Sequence, residues 1–296
     1  MKNKQKSARQ CIIFLIALAV MFLCFEILLR ETNPVGRSSL FPRNDHEITI
    51  AIHETSTFDK ILYGTSPVVA AFREAISESE FVEFGLVYGK LTYLKTMLER
   101  GIITVNEEVV IGLSTAVFYD NLTTDPRYVF HMRPYEPYVY FNRDRINTFL
   151  NTTLDNFLNG NFSPNRYLST DKWLYYGVMT DEELDEMLEV HKERFWGLEI
   201  DEFENNLKAL EWLINYCENN DIRLRAVWMP LNPYGHIPEI FEEVSLRADA
   251  ILSSRGIEVK DMTNDFPREY FYDLGHMNYE VGAIEFTKEI DLWLKR

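Results

Sequence analysis

The stretch KILYGTSPVVAAF, residues 60–72, gives the clearest indication of how this chain folds. Its first four residues predict a short buried strand, and the Gly-Thr-Ser sequence that follows predicts a turn. Pro67 suits the first turn of a helix, because the amide hydrogen that proline lacks has no partner there in any case. The stretch therefore predicts a strand, a turn and a helix in succession, the unit from which α/β sheets are built.

The same alternation continues along the chain. Further strands are predicted at residues 81–86, 108–113, 223–228 and 256–259. Helices are predicted at residues 67–72, 88–100, 181–194, 202–219, 238–254 and from 279 onward. Strands that alternate with helices form a parallel sheet covered on both faces, so the expected fold class is α/β, a three-layer α/β/α sandwich with a central parallel sheet.

The N-terminal segment predicts a membrane anchor. Lys2, Lys4, Lys6 and Arg9 precede the apolar run CIIFLIALAVMFLCFEILL, residues 11–29. That run is close to the roughly 20 residues that span a bilayer, and the basic flank favours a cytoplasmic N-terminus. The alternative is a cleaved secretory signal, but the apolar core of such signals has only about 7–15 residues. We therefore expect an uncleaved, single-pass anchor.

The predicted organisation follows from that anchor. It comprises a cytoplasmic basic segment at 1–10, a transmembrane helix at 11–30, a linker at 31–46, and an extracytoplasmic α/β domain at 47–296 with an insertion at about 114–200. The insertion breaks the strand–helix alternation with aromatic and Asn-rich loops around one acidic helix, residues 181–194.

Composition excludes several classes of function. The formal net charge of −16 argues against a nucleic-acid partner, because binding to phosphates depends on Lys and Arg. Outside the apolar run Cys217 is the sole cysteine, so no disulfide is expected within the domain. His46 and His53 are separated by a strand-like segment, which does not predict a zinc site. Phosphate-loop and dinucleotide fingerprints are absent, and no cofactor or metal is expected.

Three polar residues fall where parallel sheets carry their chemistry. Ser66 follows the first predicted strand, and Asp273 and His276 lie three residues apart before the last helix. A hydroxyl becomes a nucleophile when a base accepts its proton, and a carboxylate orients an imidazole for that task. The alternatives are that Thr65 and Ser66 cap a helix, that Asp273 caps a turn, and that His276 is an ordinary loop residue.

Four short blocks together resemble a known superfamily. They are the G-x-S turn after the first strand, FGLVYGK after the second, GLSTAVF after the third, and FYDLGHMNYEVGAIEFTKEI before the last helix. The chain thereby resembles the SGNH (GDSL-like) hydrolases, and most of all their membrane-anchored branch of DltD-like and exopolysaccharide acetyltransferase-like proteins. The resemblance implies an SGNH or flavodoxin-like sandwich behind one membrane helix.

The resemblance also implies roles for individual residues. Ser66 would be the nucleophile, His276 the general base and then acid, and Asp273 the group that orients it. The oxyanion hole would consist of the Ser66 amide, Gly89 and the residue after the third strand, where Ser114 replaces the Asn of the superfamily. Gly85 fits the glycine position as well, and Gly89 is favoured because it lies at the start of the next helix.

One further residue belongs to the expected site. Asn232, in WMPLNP after the fourth strand, lies where these relatives have a Pro and an Asn near the site, and it is expected to contact substrate. A turn built on the two prolines explains the same residue equally well.

The expected function is that of a membrane-anchored serine acyltransferase or esterase. Its substrates would be acyl esters of a cell-envelope polymer such as teichoic acid or an exopolysaccharide, and its partner a multi-spanning membrane O-acyltransferase. Two alternatives stay open. One is a catalytically inactive scaffold of the same fold that binds that acyltransferase, and the other is a glycosidase whose paired carboxylates no motif locates.

Overall fold

The computed structural model describes residues 2–162, 172, 174–235 and 238–296, and these include a five-stranded parallel sheet. Its strands are β1 (Thr57–Gly64), β2 (Val82–Gly85), β3 (Thr104–Leu113), β4 (Arg223–Trp228) and β5 (Glu258–Asp261). Their spatial order is β2-β1-β3-β4-β5, so β1 and β3 are neighbours although β2 lies between them in sequence. The strand order therefore reverses between β1 and β3, the position at which open α/β sheets place their sites.

The predicted strands are confirmed, with shifts at their ends. The bounds of β4 agree with the sequence, whereas β1 and β3 begin earlier than predicted. The first residues of these two strands, Thr57 and Thr104, pair with each other. Both are polar and exposed, so the apolar pattern used to predict the strands does not include them. β5 begins later than predicted because Gly256, with a φ of 65°, still belongs to the turn that ends the preceding helix.

The described residues also form helices before, between and after the strands. They are α1 (Lys2–Thr32), α2 (Pro34–Arg37), α3 (Asp45–His53), α4 (Ser66–Ala71), α5 (Leu91–Glu99), α6 (Thr115–Phe118), α7 (Tyr138–Phe141), α8 (Arg143–Leu158), α9 (Asp181–Phe195), α10 (Glu204–Asn219), α11 (Glu239–Ser254) and α12 (Gly282–Leu294). α5 packs against α10, and α4 packs against α12. Leu62, Val110 and Val227 of three neighbouring strands share one buried cluster with side chains of α4 and α12.

Three segments differ from the sequence prediction. The strand-like segment between His46 and His53 is helical, as α3. The predicted linker at 31–46 contains the short helix α2, at whose start Asn33 accepts the amide of Gly36. Part of the segment predicted as insertion loops forms the helix α8. The sequence does not indicate this helix clearly because α8 contains many Asn and Thr residues, which are weak helix formers.

The chain divides into two compact units. One consists of Met1–Asn44 and Arg127–Leu168, and the other, which holds the sheet, consists of Asp45–Pro126 and Ser169–Arg296. In the first unit the segment Arg9–Arg37 is, among the described residues, the one stretch of helix long and apolar enough to cross a membrane. The insertion predicted at about 114–200 contributes to both units, and its residues 163–171 and 173 lie outside the described residues.

Candidate active site

Ser66 lies where β1 ends and α4 begins. Gly64 closes the strand, Thr65 is extended, and Ser66 is the first residue of the helix. A Cβ on Gly64 or on Gly112 of β3 would lie 2.3 Å from the same methyl group of Val68. The two glycines thus allow α4 to approach the sheet closely, which places Ser66 at the carboxyl ends of β1 and β3. Thr65 makes no capping bond through its side chain.

Ser66, His276 and Asp273 form a continuous hydrogen-bonded chain. The Ser66 Oγ is 2.8 Å from His276 Nε2, and His276 Nδ1 is 2.7 Å from Asp273 Oδ2. Asp273 Oδ1 also accepts the backbone amides of Gly275 and His276, at 2.9 and 2.8 Å. The carboxylate therefore both caps its own turn and orients the imidazole. This is the order of groups found in serine nucleophile sites: hydroxyl, base and orienting carboxylate.

The electrostatics of Asp273 suit that arrangement. Burial raises the pKa of its carboxyl group. This effect is outweighed by the hydrogen bond and charge of His276 and by the backbone amides of Gly275 and His276, so the pKa lies below the ordinary value. An ionised Asp273 accepts the Nδ1–H of His276. The lone pair of His276 Nε2 then faces the Ser66 hydroxyl, which is the tautomer that a general base requires.

Asn232 supports the loop that carries Asp273. It is buried, its Nδ2 donates to the Asp273 carbonyl at 2.8 Å, and its Oδ1 accepts the Tyr234 amide at 3.0 Å. Both ends of the side-chain amide are therefore engaged in the protein, although Asn232 also lines the cavity described below. The predicted contact between Asn232 and substrate stays a prediction.

Two residues of the site have no counterpart in the sequence prediction. The Tyr175 ring stacks on His276, with centroids 4.3 Å apart and planes inclined by 8°. Burial and the charge of Asp273 raise the pKa of the Tyr175 hydroxyl, which keeps that ring neutral. His191 of α9 lines the same cavity. Burial lowers the pKa of its imidazole, although the negative charge of Asp273 partly offsets this effect. The spacing of Met187, His191 and Phe195 along the acidic helix is the signal that predicts a helical face toward this site.

A cavity of about 350 Å³ adjoins the Ser66 hydroxyl. Its walls are largely apolar, and include Leu122, Met187, Leu188, Phe195, Trp196 and Phe241. Thr65 and Ser114 also line it, and both hydroxyls are buried without a hydrogen-bond partner among the described residues. The cavity thus combines a largely apolar wall with two unsatisfied hydroxyl groups beside the Ser66 hydroxyl.

The predicted oxyanion donors differ in their surroundings. Ser114 lies directly after β3 and is only 8% exposed, and it lines the cavity. The Gly89 amide donates to the Leu86 carbonyl at 2.7 Å, and the Gly85 amide donates to the Glu83 carboxylate. Neither glycine lines the cavity, whereas Tyr88 does, with a left-handed φ of 57°. A contact between Gly89 and an oxyanion, as predicted, would require the turn at Leu86 to open.

Within residues 2–162, 172, 174–235 and 238–296, no group of three or more His, Cys, Asp or Glu side chains is placed to hold a metal ion. His46 and His53 instead contact aromatic rings: the His46 ring lies edge-on to Phe84 and the His53 ring edge-on to Phe58.

No protein-family model matches this chain, and no curated protein matches its sequence. The geometry of Ser66, His276 and Asp273 is consequently the main basis for a functional assignment.

Proposed function

We propose that this chain is a membrane-anchored serine acyltransferase or esterase of the SGNH type, which acts outside the cytoplasm on acyl esters of a cell-envelope polymer. The observation that carries the proposal is the hydrogen-bonded chain from Ser66 Oγ through His276 to Asp273, at the carboxyl ends of neighbouring parallel strands. The packing of α5 on α10 and of α4 on α12 is compatible with helix layers on the two faces of the sheet, as in an α/β/α sandwich.

The proposed reaction proceeds in two balanced steps. Ser66 Oγ attacks the carbonyl carbon of an ester or thioester while its proton passes to His276 Nε2. His276 then protonates the leaving alcohol or thiol, which leaves an acyl ester on Ser66. In the second step an acceptor hydroxyl, or water in an esterase, attacks the acyl carbon while its proton passes to His276. The bond between the acyl carbon and Ser66 Oγ then breaks, His276 returns the proton to Oγ, and the acyl group leaves on the acceptor. Asp273 stabilises the imidazolium throughout without taking the proton.

The developing oxyanion needs donors beside Ser66. We assign them to the Ser66 backbone amide, at the first position of α4, and to the Ser114 hydroxyl after β3. Because β1 and β3 are adjacent strands, these two donors lie on the same edge of the sheet. The buried Ser114 hydroxyl, which lacks a partner among the described residues, is pre-organised for a ligand that supplies an acceptor.

The cavity favours an acyl group with apolar surface. Side chains of α9, together with Trp196 and Phe241, form much of its wall, and such a wall binds hydrocarbon rather than sugar. The acyl group would then lie along α9, and the acceptor hydroxyl would enter where the cavity opens to solvent. The cell-envelope polymer as acceptor and a multi-spanning membrane acyltransferase as donor partner rest on the family resemblance and on the membrane-length helix α1.

Labelling with a fluorophosphonate probe tests this function. The full-length chain in detergent is expected to become covalently labelled, because the probe reacts with serines activated by a base. Ser66→Ala should abolish labelling, whereas Ser254→Ala, which removes an exposed serine hydroxyl from the end of α11, should leave it unchanged. A folded parent chain that stays unlabelled would contradict the enzyme proposal and favour the inactive scaffold.

The Ser114 hydroxyl gives a second test with a distinct signature. Ser114→Ala should reduce turnover of an activated ester by on the order of 100-fold, because one oxyanion donor is lost. The unfolding temperature should stay the same or rise, since a buried hydroxyl without a partner does not stabilise the fold. Thr115→Val, which removes the neighbouring hydroxyl in the cavity wall, is the matched control and should retain turnover. Full turnover in Ser114→Ala would exclude Ser114 as a donor.

A further inference from the structure

An exposed apolar stripe runs along α8. It consists of Leu150, Leu154, Phe157 and Leu158, which are 55%, 55%, 60% and 72% exposed. Their spacing of four, three and one residues places them on one side of the helix. Polar residues such as Asp144, Thr148 and Asp155 occupy an adjoining side. We refer to these four side chains as the α8 stripe.

The opposite side of α8 is held within its own unit. Arg145 is buried and donates to the Arg127 carbonyl at 3.1 Å, and the Phe149 ring lies 5.2 Å from that of Phe41. The helix is therefore not a loose segment that happens to expose apolar groups. Its packing directs the α8 stripe outward.

The same unit joins α7 to the end of the apolar helix α1. The Glu26 carboxylate accepts the Tyr138 amide at 2.6 Å and the Arg30 Nε at 2.7 Å. The Arg30 guanidinium also donates to the Glu136 carbonyl, and the Tyr138 hydroxyl donates to Asn33 Oδ1 at 2.7 Å. The first turn of α7 is thus fixed to residues 26–33 of the N-terminal segment.

That attachment sets the depth of α7 in a bilayer. At about 1.5 Å per residue, residues 11–29 extend over about 28 Å, close to the roughly 30 Å hydrocarbon thickness. Glu26 then lies within one turn of the end of the hydrocarbon, and Arg30 lies just outside it. The ion pair of these two residues and their bonds to residues 136 and 138 accordingly fall at the boundary between acyl chains and headgroups.

We propose that α7 and α8 lie in the membrane interface, with the α8 stripe in contact with the lipid acyl chains of the bilayer that α1 spans. Exposed Val139 and Tyr140 extend the apolar surface between the attachment point and the stripe. An exposed apolar stripe on a helix favours contact with a hydrophobic surface, and the attachment of α7 to residues 26–33 brings this part of the chain to the boundary of the bilayer. Tyrosines are enriched at that depth.

Site-specific fluorescence of the full-length chain in phosphatidylcholine vesicles tests this proposal. An environment-sensitive nitrobenzoxadiazole dye is attached to Leu154→Cys, with the adjacent Asp155→Cys, which points to the polar side, as the matched control. Cys11 and Cys24 are replaced by Ala, whereas Cys217 is retained because burial raises the pKa of its thiol to about 12 and keeps it unreactive. Iodide, the water-soluble quencher, is present on both sides of the vesicle membrane.

The dye at position 154 should lose fluorescence when the lipid acyl chains carry a nitroxide, and iodide should have little effect on it. The dye at position 155 should show the reverse. Quenching by iodide at both positions would overturn the proposal, and so would shielding of position 154 from both quenchers, because a protein surface would then cover the stripe. The pair Leu150→Cys and Thr148→Cys repeats the comparison if a first variant fails to fold. The outcome does not depend on catalysis.

Discussion

Asp273→Asn is expected to slow hydrolysis of an activated ester by about 10⁴-fold. The Asn amide can donate to His276 Nδ1, which moves the ring proton to Nε2. A protonated Nε2 donates to the Ser66 hydroxyl and no longer accepts its proton, although the distances hardly change. The loss would therefore arise from the tautomer of His276 and would leave the cavity and its affinity for substrate intact.

Steady-state kinetics of the full-length chain in detergent measure this effect. The decrease should appear in kcat rather than in KM, and Asp265→Asn, which alters an exposed carboxylate in the preceding loop, should retain full activity. An Asp273→Asn variant with turnover close to that of the parent would show that the carboxylate does not orient the base.

The same carboxylate contributes to acid stability. Its pKa in the folded protein lies below the ordinary value, so the ionised form stabilises the fold at neutral pH. This contribution is lost as the pH falls through the folded pKa. The Asn variant is consequently expected to show a shallower loss of unfolding free energy in acid than the parent.

Arg225→Met is expected to lower the free energy of unfolding by about 3–5 kcal/mol. Arg225 is fully buried on β4, where its Nε donates to the Glu108 carboxylate of β3. Its two terminal nitrogens donate to the carbonyls of Trp293 and Leu294, at 2.8 and 3.1 Å. Removal of the guanidinium would take away the nearer cationic partner of the buried Glu108 carboxylate, leaving Arg223 at 3.6 Å, and would remove one donor from each of two carbonyl oxygens at the end of α12.

Urea unfolding followed by tryptophan fluorescence measures this loss. The exposed Arg247, which pairs with Glu204, offers a matched control: Arg247→Met should cost less than about 1 kcal/mol. The double variant Arg225→Met with Glu108→Gln should regain part of the stability, because no unpaired charge remains. Equal losses for the two Arg variants would contradict a structural role for the buried pair.

Much of the fold follows from local patterns in the sequence. The apolar runs of β1, β3 and β4 are long enough to be recognised, and the turn before Pro67 marks the start of α4. The failures have local causes as well. In α3, the β-branched residues of EITIAI suggest a strand, but the Asp45 side chain accepts the Val87 amide and the segment packs as a helix. The Asn and Thr residues of α8 conceal its helical spacing in the same way.

The site is predictable only in part. The blocks around Ser66 and Asp273 are short enough to be recognised in the sequence, because each motif is formed by residues close together in the chain. Tyr175 reaches the same site from a segment that carries no motif. The spacing of His191 along α9 indicates the helical face on which it lies, but only its side-chain position shows that this face meets the site. The hydrogen bond from Gly89 to Leu86 is equally invisible in the sequence, since glycines in turns differ in where their amides point.

Local sequence thus determined the apolar N-terminal helix, the parallel strands and the residue types that can perform acyl transfer, because each depends on neighbours within one element. Tertiary structure decided whether these residues meet. Ser66 and His276 are 210 positions apart, and they come within hydrogen-bonding distance because β1 lies beside β3 and the loop before α12 folds back over that edge. It also decided that the apolar stripe of α8 stays exposed, since exposure depends on what packs against a helix and not on its own sequence.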